Sequence, residues 1–121
     1  MERVLVCHVL VIEDDWFIAC HIVEIVERAG ATSTSTAATE NEAIAAARAR
    51  LPGMILSDVE LAQGTGPKAV KAILAEHGEI PVIFITGTPE ACAPCEPPHQ
   101  ILTKPVAERV LAESFKMRAP L

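Results

Sequence analysis

A chain of 121 residues with 50% apolar and 21% charged residues is long enough for one domain with a full core and too apolar to be disordered. Its net charge of −6 argues against nonspecific binding to nucleic acid or an anionic membrane, which needs a basic patch. No apolar run approaches the roughly 20 residues of a membrane span. Tyrosine is absent and aromatics make up 3%, so the core is expected to be aliphatic. Met1-Glu2-Arg3 before Val4-Leu5-Val6 has the outline of a signal peptide. His8 interrupts that run, however, and Glu13-Asp14-Asp15 closes it with no small-residue cleavage site. The segment reads as a strand of a cytoplasmic protein. The four cysteines, Cys7, Cys20, Cys92 and Cys95, are too few to build a disulfide scaffold in a chain with its own core.

In chain order, residues 9–12 form a continuous apolar run, preceded by His8, of the kind buried on both faces of a parallel sheet. The acids Glu13-Asp14-Asp15 end it. Residues 16–29 read as a helix, with Ile18, Ile22, Ile25, Val26 and Ala29 as one stripe and Gly30 as the stop. Residues 32–36 are a Thr/Ser run, acceptable as an outer strand. Thr39 and Glu42 have capping-box spacing and open an Ala-rich helix over 40–50. The strand at 54–57 runs into Asp58 and the loop Gln63-Gly64-Thr65-Gly66. Gly66-Pro67 starts a helix with Val70, Ile73 and Leu74 on its apolar side and Gly78 at its end. Residues 81–85 are another apolar strand, leading to Thr86-Gly87. Pro89, Pro94, Pro97 and Pro98 make a long helix between Thr88 and His99 improbable. Residues 101–103 form a short strand before Lys104-Pro105. A last helix over 106–117 has Val110, Leu111 and Phe115 as its expected buried side. This alternation describes an α/β domain: an open, doubly wound parallel sheet of five strands, helices on both faces, and a short or irregular fourth helical region.

Asp58 alone is a common strand-end or capping residue. Its setting changes that reading. Glu13/Asp14, Asp58, Thr86 and Lys104 each follow an apolar run, so parallel strands bring all four to one sheet edge, where open α/β sheets hold their ligands. Clustered carboxylates repel and favour a cation, and a hard ion such as Mg²⁺ suits carboxylate, carbonyl and water ligands. Lys104 and Thr86 add a positive charge and a donor able to stabilise a phosphoryl group on Asp58.

These residues, in this order, resemble the receiver domain of two-component response regulators, the CheY-like fold with strand order 2-1-3-4-5. The resemblance covers residues 9–115. It implies that Asp58 is the phospho-acceptor, taking its phosphoryl group from a histidine kinase or a histidine phosphotransfer protein. It implies that Glu13, Asp14, Asp58 and the backbone carbonyl of Glu60 hold Mg²⁺. Thr86 matches the switch hydroxyl, Lys104 the phosphoryl-binding lysine, and the Lys104–Pro105 peptide is expected to be cis. Such a domain promotes only its own phosphorylation and dephosphorylation. Two features depart from the common pattern. Ile101 stands where most receivers have an aromatic residue, and the 88–99 segment is short and proline-rich. Phe84-Ile85-Thr86-Gly87 is similar to the Phe-Ala-Thr-Gly signature of single-domain and general-stress-response receivers. A stand-alone receiver occupying residues 1–121 and read out by a protein partner is the resulting expectation.

Other signals in the sequence compete with it. Cys92-Ala93-Pro94-Cys95, with His99 four residues on, fits a redox pair or half a zinc site, giving an alternative redox- or zinc-responsive regulator on the same scaffold. A fourth local ligand is missing, and a thioredoxin-type pair opens a regular helix. Cys7 and Cys20 are expected in the core. His8 and His21 read as ordinary strand and helix positions, and Trp16 as a residue at the rim of the acidic cluster. An Asp-nucleophile phosphatase built on Asp58 and Glu60 lacks residues for a substrate cap.

Overall fold

The computed structural model describes residues 7–87 and 100–119. Its elements are β1 (His8–Ile12), α1 (Trp16–Arg28), β2 (Ser33–Ala37), α2 (Glu40–Ala49), β3 (Met54–Asp58), α3 (Gly66–His77), β4 (Val82–Thr86), β5 (Gln100–Thr103) and α4 (Glu108–Arg118). The five strands form one sheet in the order β2-β1-β3-β4-β5, and each pairing is parallel. The expected doubly wound architecture is therefore present. The proline-rich stretch expected to be irregular, with Cys92, Cys95 and His99, lies outside the described residues.

Alternation along the strands divides the core in two. Leu10, Ile12, Ile55, Val82 and Phe84 pack against Ala43, Ala47, Val70 and Ile73 of α2 and α3. Val9, Val11, Met54, Leu56, Ile83 and Ile85 pack against Ile22, Ile25 and Val26 of α1 and Leu111 and Phe115 of α4. The core is aliphatic as expected, with one exception on each face: Phe84 and Phe115 are its two largest fully buried side chains. Helix faces differ in detail from the expected stripes. Ile18 and Val110 are exposed, and Ser114 takes a buried place on α4. Cys7 is fully buried, and burial pushes its thiol pKa up, as befits a core residue. Cys20 is only half-buried.

The Ser/Thr strand is explained by a residue that looked ordinary in sequence. His8 is buried, and its Nδ1 and Nε2 lie 2.8 Å from the hydroxyls of Ser33 and Ser35 respectively. A neutral imidazole has one donor and one acceptor nitrogen, so both hydroxyls are satisfied by the uncharged ring. Thr32 adds to this join: its Oγ1 accepts from the Cys7 N–H at 2.8 Å and donates to the Cys7 carbonyl at 3.1 Å. Thus β2 is fastened to β1 by hydroxyls on the faces where a central strand would use aliphatic residues.

Burial, and then the charge of Arg50, hold the His8 pKa below its ordinary value. The neutral ring is the native form, so its stabilisation is complete above the unfolded pKa of about 6.5 and is lost as pH falls through the lower folded value. His8→Ala is expected to cost about 2 kcal/mol at pH 7.5. The gap from the parent protein, measured by urea midpoints, should narrow as the pH is lowered toward 5. A gap that is constant with pH would contradict this.

Candidate functional site

The register brings the polar strand ends together. Ile12 of β1 pairs with Ser57, Asp58 of β3 pairs with Ile85, and Thr86 of β4 pairs with Thr103. Glu13, Asp58, Thr86 and Lys104 thus leave the sheet at the same edge. The acidic run after β1 separates into two jobs. Asp15 caps α1, its Oδ1 accepting from the N–H groups of Phe17 (2.9 Å) and Ile18 (3.2 Å). Glu13 and Asp14 remain available, and with Asp58 they bring one carboxylate oxygen each within 4.8 Å of one another.

Asp58 is held on both oxygens. The Val59 N–H donates to Oδ1 at 2.8 Å, and the Lys104 ammonium donates to Oδ2 at 3.2 Å. Lys104 Nζ is also 3.6 Å from Glu13 Oε1. The lysine is placed by its backbone, whose N–H donates to the Thr86 carbonyl at 2.8 Å, and the following peptide to Pro105 is cis, as expected. Thr86 is buried at the end of β4. Behind the site, α3 approaches very closely. A Cβ on Gly66 would overlap the Asp58 carbonyl oxygen and the Ser57 hydroxyl, so only glycine fits there.

Glu13 is the unusual member. Its side chain is 2% exposed, and its Oε2 is buried with no hydrogen-bond partner. Burial, then the neighbouring Asp58 carboxylate, push its pKa up to about 8, with Lys104 acting in the opposite sense. For Lys104, burial pulls the pKa down, but Glu13 and then Asp58 outweigh it and the net direction is up. A buried acceptor without a partner, beside two further carboxylates, has the donor chemistry of a hard divalent cation site. The residues present therefore fit Mg²⁺ on grounds independent of any resemblance. Glu60 is exposed two residues past Asp58, and its backbone pairs with Thr65 in an isolated antiparallel bridge.

The family model described as "Response regulator receiver domain" matches residues 9–116. The chain belongs to that family. A curated relative, the phyllosphere-induced regulator PhyR of Methylorubrum extorquens, is 39% identical over 101 residues, covering 80% of this chain and 38% of the relative. The receiver domain of Erythrobacter litoralis PhyR superimposes with a TM-score of 0.83 at 32% identity, over 93% of this chain and 89% of that one. The anti-anti-sigma factor PhyR from Bartonella quintana gives 0.75 at 34% identity, over 93% of this chain and 47% of that one. The chain thus spans well under half the length of the full PhyR regulator from Methylorubrum that it matches. Receivers are signalling domains rather than enzymes with turnover.

Within this receiver, Glu13, Asp14, Asp58, Thr86 and Lys104, singled out in the sequence, stand near one another at one sheet edge. How the chain serves that edge from elsewhere is not evident in the sequence. Trp16 does not roof the cluster: it is 69% exposed, packs edge-to-face on Phe17 with ring centroids 5.3 Å apart, and lines a groove with Ala19, Cys20, Thr34 and Thr36. Glu40 gives no signal in the sequence beyond its place at a helix start. His21 is exposed and 3.4 Å from Glu108. Among the described residues, Glu13, Asp14 and Asp58 are the one group of acid, His or Cys side chains close enough to hold a metal. No described helix is long and apolar enough to cross a membrane.

The Glu13 environment has a testable consequence. Its folded pKa of about 8 lies above its unfolded value, so the ion-free fold loses stability as pH rises from about 4.5 through 8, where the unfolded chain releases a proton that the fold retains. Glu13→Gln removes this dependence. In Mg²⁺-free buffer the variant should gain stability relative to the parent between pH 5 and pH 9 in thermal melts, while binding Mg²⁺ at least tenfold more weakly. A stability difference that does not grow with pH would refute the assignment of strain to Glu13.

Proposed function

We propose that this receiver accepts a phosphoryl group on Asp58 from a phosphohistidine, with Mg²⁺ held by Glu13, Asp14, Asp58 and the Glu60 carbonyl. The observation that supports this most is the unpartnered, buried Glu13 Oε2 beside Asp58, with Lys104 3.2 Å from the acceptor carboxylate. That arrangement gives an oxygen nucleophile, an ammonium and a cation locus in one place, which is what phosphoryl transfer needs from a protein: positioning and charge stabilisation. Mg²⁺ held there would supply charge neutralisation to the transferring phosphoryl group.

This chain's own residues account for the rest. The Val59 N–H fixes the Asp58 carboxylate plane. An Asp58 oxygen attacks phosphorus, and the O–P bond forms as the N–P bond of the donor breaks. The electron pair returns to the ring nitrogen, and imidazole leaves neutral because its other nitrogen carries the proton. Lys104 exchanges its bond to the Asp58 carboxylate for one to the new phosphoryl group, and the Thr86 hydroxyl supplies a second donor. The acyl phosphate carries nearly two negative charges where the Asp58 carboxylate carried one. The Thr86 and Lys104 backbones are hydrogen-bonded to each other, so movement of either is felt at β4 and β5, and that surface changes its affinity for a protein partner. The relatedness to PhyR, an anti-anti-sigma factor in Bartonella quintana, supports a regulatory protein as the partner.

The donor has a natural seat. Phe17 on the first turn of α1 is 78% exposed. Its neighbour Ile18, with His21, Ile22, Ile85, Pro105 and Val106, lines an apolar cleft of about 380 Å³ that also includes Lys104. Exposed apolar residues around the entrance to a charged site mark a protein contact, and a helical face presenting the phosphohistidine would fill it.

Two measurements test this reading. With acetyl phosphate and Mg²⁺, intact-mass analysis should show one alkali-labile phosphoryl adduct on the parent protein and none on Asp58→Asn. An adduct of equal yield on that variant would sink the assignment. Phe17→Ala should slow transfer from a protein phosphohistidine donor about tenfold, a loss of about 1.4 kcal/mol of contact, while leaving the acetyl phosphate rate unchanged. Equal slowing with both donors would remove α1 from the docking surface.

A further inference from the structure

The loop that leaves Asp58 must return to start α3 at Gly66, and it carries Glu60, the proposed backbone ligand of the cation. Its own side chains do little to fasten it: Ala62, Gln63 and Gly64 are exposed. The fastening comes from Glu40, the first residue of α2. The Glu40 N–H donates to the Gln63 carbonyl at 3.2 Å, and its Oε2 accepts from the Thr65 N–H at 3.3 Å. Between these two bonds the loop backbone lies directly on the Glu40 side chain. Gly64 has φ of +82°, and a Cβ there would overlap Glu40 Oε2 and approach Glu40 Cβ to 2.6 Å. Thr65, held this way, is the bridge partner of Glu60 and the cap of α3, its Oγ1 accepting from the Lys68 N–H at 3.2 Å.

An acid in the first turn of a helix is ordinarily explained by the helix dipole. That explanation covers neither the bond to another element nor the left-handed glycine packed on the carboxylate. The half-buried Glu40 joins two connections that the fold otherwise leaves separate, the β2–α2 turn and the β3–α3 loop. It does so one bridge away from Glu60.

We propose that Glu40 is a positioning residue for the cation site, holding Thr65 so that the Glu60 carbonyl stays at the acidic cluster. This rests on the reading of Glu13, Asp14, Asp58 and Glu60 as the cation ligands. Glu40 acts through Thr65 and Glu60 by geometry and need not touch the ion. Its contribution is preorganisation of a backbone ligand, of the kind that partners of metal ligands provide.

The test is a Mg²⁺ titration of the whole chain followed by amide NMR, on the parent, Glu40→Ala, Glu40→Gln and Asp14→Asn. Glu40→Ala should bind Mg²⁺ about 3- to 10-fold more weakly, at or below the effect of losing a hydrogen-bond partner of a ligand. In the ion-free variant the Thr65 amide should exchange with solvent faster than in the parent. Glu40→Gln keeps an acceptor oxygen and should bind within about twofold of the parent, which separates positioning from simple charge. Parent-like Mg²⁺ affinity in Glu40→Ala, or equal losses in Glu40→Ala and Glu40→Gln, would overturn the inference while leaving the cation site intact. A parent protein that shows no saturable Mg²⁺ response, indistinguishable from Asp14→Asn, would overturn the cation reading itself and the inference with it.

Discussion

Two carboxylates that cannot both be comfortable without help stand at the centre of this structure. Glu13 has almost no exposure and an oxygen with no hydrogen-bond partner, and burial, then the Asp58 carboxylate beside it, push its pKa up to about 8. Lys104 reaches both acids but relieves them only in part. A fold that retains such a group holds an unfavourable arrangement in its ion-free state, and the proposed cation would offset that cost. Local strain of this kind is compensated by the rest of the molecule, here by two well-filled aliphatic layers.

The rest of the architecture delivers those groups. Parallel pairing sends the carboxyl ends of β1, β3, β4 and β5 to one edge. The register then sets depth, with Asp58 beside Ile85 and Thr86 beside Thr103. Among the described residues, three elements that meet that edge have a specific fastening. Asp15 caps α1, Gly66 allows α3 to approach the Asp58 carbonyl, and the Lys104 N–H is tied to Thr86. At the opposite edge of the sheet, His8 compensates for a hydroxyl-rich outer strand. The outer strand is thereby held without the aliphatic surface that central strands use.

Much of this was legible in the sequence because it depends on local pattern. Apolar runs ending in Glu13, Asp58 and Thr86 are strands by composition and length, and their alternation with helices leaves few topologies open. The acidic edge followed from the topology, and the family assignment came from the same residues. What was not legible depends on pairs distant in sequence. His8 looked ordinary because its partners, Ser33 and Ser35, are 25 and 27 positions away. Glu40 looked like a helix-start acid because Thr65 and Gly64 are on another loop. Glu42 has capping-box spacing, and the Thr39 hydroxyl does accept from its N–H, but its carboxylate takes the Ala38 N–H rather than that of Thr39. Ile18 and Val110 fit helical stripes yet are exposed; periodicity gives a face, but how far the neighbouring helix covers it is decided by packing.

We propose that Glu13, Asp14, Asp58, Thr86 and Lys104 form one phosphoryl-accepting unit. Beryllofluoride, a phosphoryl mimic, tests this most directly when titrated with Mg²⁺ into the labelled protein and followed by amide NMR. Slow-exchange shifts are expected to begin at Asp58, Val59, Thr86 and Lys104 and to spread through β4 and β5, with none in Asp58→Asn. Shifts that persist in Asp58→Asn, or that leave Thr86 and Lys104 unmoved in the parent protein, would contradict it.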